Sequence, residues 1–391
     1  MTLKEALVRN DGIGPGFHLL RHALATAIVL FHCRAAIYWS VSAATLAATH
    51  QVATGLTRES TWTLEDVVRP GIHSLVGMFF ALSGFLVTGS ALRTRLMRHF
   101  FVNRALRIIP ALSVEVTLSA LILGPIVTVL PLAAYFTDPM FFRYFGNIVG
   151  HITFYLPGVF ETLPWPRIVN GNLWTLPAEF WCYAIIMAVM VLRLLPRRDL
   201  LLALLAGAMV AMLVAMQIDP VRYDVKGENM YTASYITFLF CAGGVAFLHA
   251  DRIPLHWGLF LASGALYWAS MFFGVLTPLS GIPLTYCMIF VGMTSFPLWD
   301  RWVKSDYSYG IYLYGFPIMQ TYVWLLMPVF TGIALPLRLA ILFPLTIVTT
   351  LAFAAVSWRW IEKPALGLRR KLFRAPALPA APHPNEAAAR A

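Results

Sequence analysis

The first apolar segment of the sequence, His18 to Tyr38, carries Arg21, His32 and Arg34 among its ionisable side chains. A charge inside a membrane helix is costly, so it is usually kept for a function. Arg21 and His32 are eleven residues apart, which on a helix is about three turns, so both lie on one face, roughly 16 Å apart. The arginine offers a fixed cation, and the histidine exchanges a proton near neutral pH. The alternative is that Arg21 reaches the lipid headgroups and His32 is a packed core histidine.

A carboxylate is predicted to join the histidine. Glu179 ends the sequence G-N-L-W-T-L-P-A-E, in which Pro177 is expected to open the helix and free backbone carbonyls. Glu179 and His32 both fall in the outer halves of predicted spans, so we expect them to meet as a dyad in which the acid stabilises the imidazolium. Glu115, the other acid within a predicted span, is expected to pair with an arginine. The alternative function for the dyad is a proton relay in a transporter.

The most basic stretch, residues 93–110, follows the second predicted span. Arg104 and Arg107 are three residues apart and share one face of a helix. Pro110 is expected at the start of the next span, where its missing N–H is harmless. Two guanidiniums on one face suit a phosphate or pyrophosphate through bidentate hydrogen bonds. The alternative is contact with anionic lipid, which we favour for the arginines at 93–98.

The elements that must position these side chains are membrane helices. Of the 391 residues, 59% are hydrophobic and 12% are charged, against about 25% charged in soluble domains. A span needs about 20 apolar residues, and a segment alone in lipid must satisfy its own backbone. The sequence therefore predicts an all-α integral membrane protein with about ten transmembrane helices. They cover residues 18–40, 71–92, 110–131, 172–192, 199–217, 231–249, 255–274, 281–298, 308–329 and 336–358.

Both termini are predicted to be cytoplasmic. With the N-terminus inside, 21 of the 29 Lys and Arg fall on the cytoplasmic side and seven on the outer side, and such an excess marks the inner side. The net charge of +11 is thus expected to face a membrane surface, and no nucleic-acid partner is predicted. We divide the chain into a cytoplasmic segment (1–17), a membrane domain (18–364) and a cytoplasmic, largely disordered tail (365–391). The four scattered cysteines fit no metal site or disulfide framework, so no metal is predicted.

Six sequence motifs occur together in a fixed order, and they resemble the acyltransferase-3 family of membrane O-acyltransferases over roughly residues 15–370. The motifs are Arg21-x10-His32, F-F-x-L-S-G-F-L (79–86), R-x-x-R-I-I-P (104–110), L-W-T-L-P-A-E (173–179), S-Y-G-I-Y-L (308–313) and I-E-K-P (361–364). Two positions depart from the family. Gly315 stands where a histidine is common, and Gly77 stands near a common acidic residue, which bears on recognition of the substrate.

The resemblance implies an acyltransferase, usually moving acetyl from acetyl-CoA to a hydroxyl of a surface or secreted glycan. In the family pattern Arg21, Arg104 and Arg107 would hold the CoA phosphates, and His32 with Glu179 would be the catalytic pair. The expected partners are acyl-CoA, a glycan acceptor and the lipid bilayer, and the expected location is the bacterial inner membrane, as a multi-pass protein. The alternative is a proton-coupled transporter, which predicts an inverted repeat that the sequence does not display. The acceptor, direct transfer against an acyl-enzyme, and the oligomeric state stay open.

Overall fold

The computed structural model describes residues 1–10, 12–48, 64–94, 96–219, 233–273, 277–300 and 305–373. Over these residues the chain is helical, and its only β-type pairings are two isolated bridges. The predicted all-α class is confirmed for this part of the chain. The end of the predicted disordered tail, residues 374–391, lies outside the described residues.

The α-helices are numbered in chain order. They are α1 (Leu3–Arg9), α2 (Phe17–Ala48), α3 (Leu64–His73), α4 (Leu75–Thr94), α5 (Met97–Leu118), α6 (Gly124–Val127), α7 (Leu132–Thr137), α8 (Pro139–Tyr144), α9 (Leu176–Val191), α10 (Arg198–Ile218), α11 (Ala233–Leu248), α12 (Trp257–Phe273), α13 (Thr277–Met293), α14 (Pro297–Asp300), α15 (Ser308–Leu326), α16 (Leu335–Ser357) and α17 (Lys363–Leu372). Two π-helical turns, Ser119–Leu123 and Trp358–Glu362, continue α5 into α6 and α16 into α17.

Six described segments are long and apolar enough to cross a membrane, which makes this a multi-pass membrane protein. They are Phe17–Tyr38, Leu75–Thr94, Met97–Val127, Gly171–Val191, Arg198–Ile218 and Leu335–Arg369. Three shorter apolar helices are Ala233–Leu248, Trp257–Phe273 and Pro278–Met293. The number of ten spans and the cytoplasmic placement of both termini therefore stay predictions.

The third predicted span begins much earlier than expected. The continuous helical segment Met97–Val127 has 31 residues, whereas the sequence predicted 110–131. Pro110 accordingly lies inside α5 and not at its start. Charged residues lower the hydropathy of a window, so hydropathy alone starts the span after the arginines. In the structure Arg104 and Arg107 belong to the membrane helix itself.

Close helix contacts hold the bundle around this segment. At Gly84 of α4 an added Cβ would lie 1.8 Å from the Phe240 carbonyl oxygen of α11. The two backbones therefore approach as closely as only glycine allows. At Gly315 of α15 an added Cβ would lie 2.3 Å from Val29 of α2. A histidine at this position would force α2 and α15 apart.

The segment between α6 and α9 folds back on the bundle. Tyr135 and Tyr144 are fully buried, and the Tyr135 hydroxyl donates to the Ala120 carbonyl at 2.7 Å. The Asn147 side chain donates to the Thr153 carbonyl and accepts from its N–H, at 2.9 and 2.8 Å. Burial of Tyr135 and Asn147 with their hydrogen-bond partners gives the segment a defined backbone.

Candidate active site

A cavity of about 430 Å³ runs between α2, α4, α5, α9 and α15. Its lining includes Arg21, Arg104, Arg107 and Arg369 at one end. The rest of the lining is mainly apolar, with Ile28, Val76, Phe79 and Phe80 among its members, and it also includes the polar side chains of Asn172, Thr175, Glu179 and Tyr312. Arg369 and His18 are exposed, so the cavity opens at the end of the bundle that carries α17 and the start of α2. The cavity combines a cationic entrance with an apolar interior.

One carboxylate oxygen bridges two of the predicted donor-site arginines. Asp306 Oδ2 lies 2.6 Å from Arg21 Nη1 and 2.7 Å from Arg107 Nη2. Its other oxygen accepts from the Ser308 hydroxyl at 2.5 Å. Burial alone would raise the pKa of Asp306, but Arg21, Arg107 and the Ser308 hydroxyl outweigh burial and hold this pKa well below its usual range.

A second acid, Glu362, also contacts Arg107. The Nη1 atom of Arg107 lies 3.4 Å from Oε2 of the buried Glu362, which sits in the π-helical turn after α16. The guanidinium also lies over the rings of Tyr309 and Trp358, with centroids 5.7 and 5.9 Å away. We call Arg21, Arg104, Arg107, Asp306 and Glu362 the arginine cluster. Sequence analysis missed both acids of this cluster, although Asp306 precedes the S-Y-G-I-Y-L motif and Glu362 lies within I-E-K-P.

Arg104 differs from the other two arginines. It is half-buried and lines the cavity, and its guanidinium lies 5.9 Å from the ring centroids of Phe100 and Tyr183. Its Nε is buried and has no hydrogen-bond partner, and no ion pair of Arg104 is found within the described residues. Of the three predicted donor-site cations, Arg104 is therefore the one whose charge is not neutralised by a contacting acid.

Glu179 lies in the first turn of α9 and lines the same cavity. A carboxylate is stabilised there by the positive end of the helix dipole. Its Oε1 accepts a hydrogen bond from the Tyr183 hydroxyl one turn later. Arg104, Arg107 and Arg21 are close enough to act on it electrostatically. The structure thus brings Glu179 together with the arginines.

His32 lies on the same face of α2 as Arg21, further along the helix. Its ring packs against Phe31, Trp165 and Phe316, with centroids 5.5, 5.8 and 5.1 Å away. We call these four residues the histidine cage. The Nδ1 atom of His32 is buried and has no hydrogen-bond partner in the described part of the chain.

Arg21 and His32 face the same neighbouring helix, as the spacing predicted. Arg21 pairs with Asp306 just before α15, and His32 contacts Phe316 eight residues into that helix. The cavity follows α2 from His18 to Ile28 and ends one turn before His32. Within the described residues no hydrogen bond or ring contact joins His32 to Glu179, so their action as a dyad stays a prediction.

The prediction that Glu115 pairs with an arginine is wrong. This residue is 1% exposed, and its Oε1 accepts hydrogen bonds from Ser119 at 2.9 Å and from Asn170 at 3.0 Å. Asn170 also donates to the Leu313 carbonyl at 3.0 Å. Arg107 and Glu115 belong to the same continuous helix, α5. Glu115 lies about 12 Å further along this helix than Arg107, which is too far for an ion pair.

No group of three or more His, Cys, Asp or Glu able to hold a metal is found among the described residues. All four cysteines are free, and three of them are buried. The absence of a metal from the reaction stays a prediction.

Comparisons with known proteins agree on one family. The family model described as an acyltransferase domain, Acyl_transf_3, matches residues 15–358. Nodulation protein 10 of Rhizobium leguminosarum bv. viciae is 28% identical over 332 residues, which cover 76% of this chain and 83% of that protein. The O-acetyl transferase of Shigella phage Sf6 is 27% identical over 302 residues, or 73% of this chain and 82% of its own length. No solved structure matches the chain.

Proposed function

The chain belongs to this acyltransferase family, and from that premise we propose that it moves an acetyl group from cytoplasmic acetyl-CoA to a hydroxyl of a surface or secreted glycan. The observation that carries the proposal is the cavity, whose cationic entrance and apolar interior lead along α2 toward His32. Acetyl-CoA is a polyanion with a long flexible arm, which suits such a cavity. The name of the phage relative, O-acetyl transferase, supports acetyl as the transferred group.

The donor phosphates would bind at the arginine cluster. Guanidinium groups bind phosphate through short, charge-assisted hydrogen bonds. Arg104 is the principal contact, since Arg21 and Arg107 already share Asp306. Arg369 adds an exposed cation at the cavity opening. The arm of the donor would follow the apolar lining past Ile28, which brings the thioester one turn below His32.

His32 would act as the general base. A ring nitrogen takes the proton of the acceptor hydroxyl while the hydroxyl oxygen attacks the thioester carbonyl. The carbon–sulfur bond then breaks and the acetyl ester is formed, and the leaving thiolate takes the proton from the imidazolium, which gives free CoA and restores the neutral His32. Glu179 would stabilise the imidazolium across the cavity, in the way a triad acid supports its histidine. An acyl-enzyme route would use the same base for the second step.

The proposed location is the bacterial cytoplasmic membrane, because one relative comes from a bacterium and the other from a bacterial virus. The acceptor would then approach His32 from the side opposite the arginine cluster. This arrangement separates the two substrates: the donor enters beside α17, and the acceptor enters beside the segment between α6 and α9.

Transfer by the purified protein tests the proposal. The protein is reconstituted in nanodiscs with [14C-acetyl]-CoA and with alkali-treated surface polysaccharide from the host strain, which has lost its ester groups. We expect alkali-labile label on the polysaccharide in equal amounts to the CoA released. Donor binding without label transfer to any hydroxyl of the polysaccharide would contradict a glycan acceptor, and an absence of acetyl-CoA binding would contradict the donor assignment.

A further inference from the structure

The side of the histidine cage that faces away from the arginine cluster is formed by Trp165, in the segment between α8 and α9. The indole of Trp165 stacks on Phe316 of α15, with centroids 5.5 Å apart and planes 9° from parallel. Both rings meet His32 nearly edge-on, at 74° and 72°. Trp165 is half-buried, while the next two residues, Pro166 and Arg167, are exposed. A molecule that approaches His32 from this surface therefore meets Trp165.

A buried amide of α15 binds the backbone of this segment at Trp165 and Ile168. Gln320 is fully buried, and its Nε2 donates to the Trp165 carbonyl at 3.1 Å and to the Ile168 carbonyl at 2.8 Å. Gln320 lies four residues after Phe316, so both side chains occupy one face of α15. The same helical face thus carries the ring under Trp165 and the amide that fixes its backbone.

Backbone hydrogen bonds and close packing on both sides of Trp165 hold the rest of the segment in place. Arg167 has a φ of 67°, in a region that non-glycine residues rarely adopt, and its N–H donates to the Phe160 carbonyl at 3.1 Å. The Val169 N–H donates to the Phe154 carbonyl at 2.8 Å. At Gly171 an added Cβ would lie 2.7 Å from the Phe316 ring. The backbone is bent tightly around the tryptophan and packs directly on its stacking partner.

We propose that Trp165 is the wall against which a sugar ring of the acceptor packs beside His32, and that Gln320 is the positioning residue that holds this wall in place. The inference rests on the proposed role of His32 as the base. Pyranose rings have an apolar face of C–H groups, which packs on an indole in the way that ligand sites use aromatic walls with few polar groups. Orientation of a hydroxyl against a base contributes strongly to rate, and a displacement of about 1 Å costs on the order of a hundredfold.

Four variants test this arrangement: Gln320→Leu, Trp165→Ala, Trp165→Phe and the double variant Gln320→Leu/Trp165→Ala. The assay is acetyl transfer to the alkali-treated polysaccharide, with [14C-acetyl]-CoA binding measured separately. We expect Gln320→Leu and Trp165→Ala each to lower kcat/KM for the acceptor by about tenfold or more while donor affinity is unchanged. Trp165→Phe should keep most of the activity, because it keeps a ring.

The double variant separates positioning from general loss of structure. If Gln320 acts through Trp165, the double variant is no slower than Trp165→Ala alone, whereas independent effects multiply. Tyr322→Phe is the matched control, because it removes a 2.7 Å hydrogen bond between Tyr322 of α15 and Thr349 of α16. This variant should keep wild-type kinetics.

Wild-type acceptor kinetics in Gln320→Leu, or multiplied losses in the double variant, would overturn the role of Gln320. If Gln320→Leu fails to fold, the activities of Trp165→Phe and Trp165→Ala are compared instead. Equal activity of these two variants would overturn the role of Trp165 in packing against the acceptor sugar. His32→Ala keeps the two proposals apart. Full activity there refutes the base assignment, whereas a dead His32→Ala beside a normal Trp165→Ala refutes the acceptor wall alone.

Discussion

The arginine cluster and the histidine cage occupy two ends of one face of α2, and they differ in how their polar atoms are satisfied. Asp306 is shared by two guanidiniums, and Glu362 adds a third ion pair to the same cluster. His32 is surrounded by three aromatic rings, and its buried Nδ1 has no partner in the described chain. A networked ion is a fixed charge suited to binding, whereas no neighbouring hydrogen bond fixes the protonation state of a ring nitrogen that has no partner.

The largest expected effect lies in the histidine cage. His32→Ala should lower acetyl transfer by about 10²–10⁴, the usual contribution of a positioned base, while acetyl-CoA binding is retained. Turnover and donor binding of the purified variant provide the measurement, with folding checked by gel filtration. His151→Ala, on the exposed surface of the segment between α8 and α9, is the control and should be as active as wild type. Wild-type turnover in well-folded His32→Ala would falsify the assignment of His32 as the general base.

The second effect is on stability and belongs to the arginine cluster. Arg107→Ala leaves Glu362 without its cation and takes one of two cations from Asp306. Removal of one partner from a buried ion pair costs about 3–5 kcal/mol, so the Tm of the variant should fall clearly in a thermal-shift measurement. Arg98→Ala, at an exposed position on the same helix, should leave the Tm unchanged. Equal Tm values for the two variants would show that the network adds little.

Glu179 lies in the cavity beside the arginine cluster, and its variants sharpen the comparison. Glu179→Gln should lower kcat by about tenfold or more with unchanged donor affinity, because a neutral amide does not stabilise an imidazolium. Glu179→Asp should retain more activity. If kcat is normal and acetyl-CoA binds more tightly, the residue serves only to balance the charge of Arg104 and its neighbours.

Arg104 is expected to affect binding alone. A charge-assisted hydrogen bond is worth about 1.5–3 kcal/mol, so Arg104→Ala should weaken acetyl-CoA binding by about tenfold or more without a change in Tm. Arg104→Lys should recover part of the affinity, since the charge remains. A lower Tm together with unchanged affinity would instead give Arg104 the structural role that we assign to Arg107.

The smallest expected effect is that of pH on the cluster. The pKa of Asp306 is depressed. Its ion pairs therefore contribute their full stability above the pKa of an unfolded aspartate, about 3.9, and this stability is lost as the pH falls below that value. The contribution of Asp306 to the Tm should therefore be constant between about pH 5 and 8, so Asp306→Asn should lower the Tm equally across this range. A transition near pH 6 that disappears in Asp306→Asn would contradict the depressed pKa.

The sequence predicted the features that depend on local spacing. The shared face of Arg21 and His32 follows from the helical repeat. The all-α class follows from composition. Each of these depends on neighbours within a few turns of one helix, where the geometry is known in advance.

The acids of the arginine cluster could not be predicted in the same way. The partners of Arg107 are 199 and 255 positions away in the sequence, at Asp306 and Glu362. Asp306 and Glu362 both fall outside the predicted spans 308–329 and 336–358, because neither stands in an apolar run. Only the π-helical turn after α16, together with the start of α15, brings both acids to one guanidinium.

The length of the segment Met97–Val127 has a consequence for the lipid surroundings. Its 31 residues make a helix about 46 Å long, against a hydrocarbon core of about 30 Å. Such a helix tilts or extends beyond the core, and bilayer thickness decides by how much. Arg104 lies about 10 Å from its start, so the depth of the cationic entrance varies with lipid chain length. Reconstitution in short-chain and long-chain lipids should therefore change donor affinity, because bilayer thickness alters the depth at which the cationic entrance lies in the membrane.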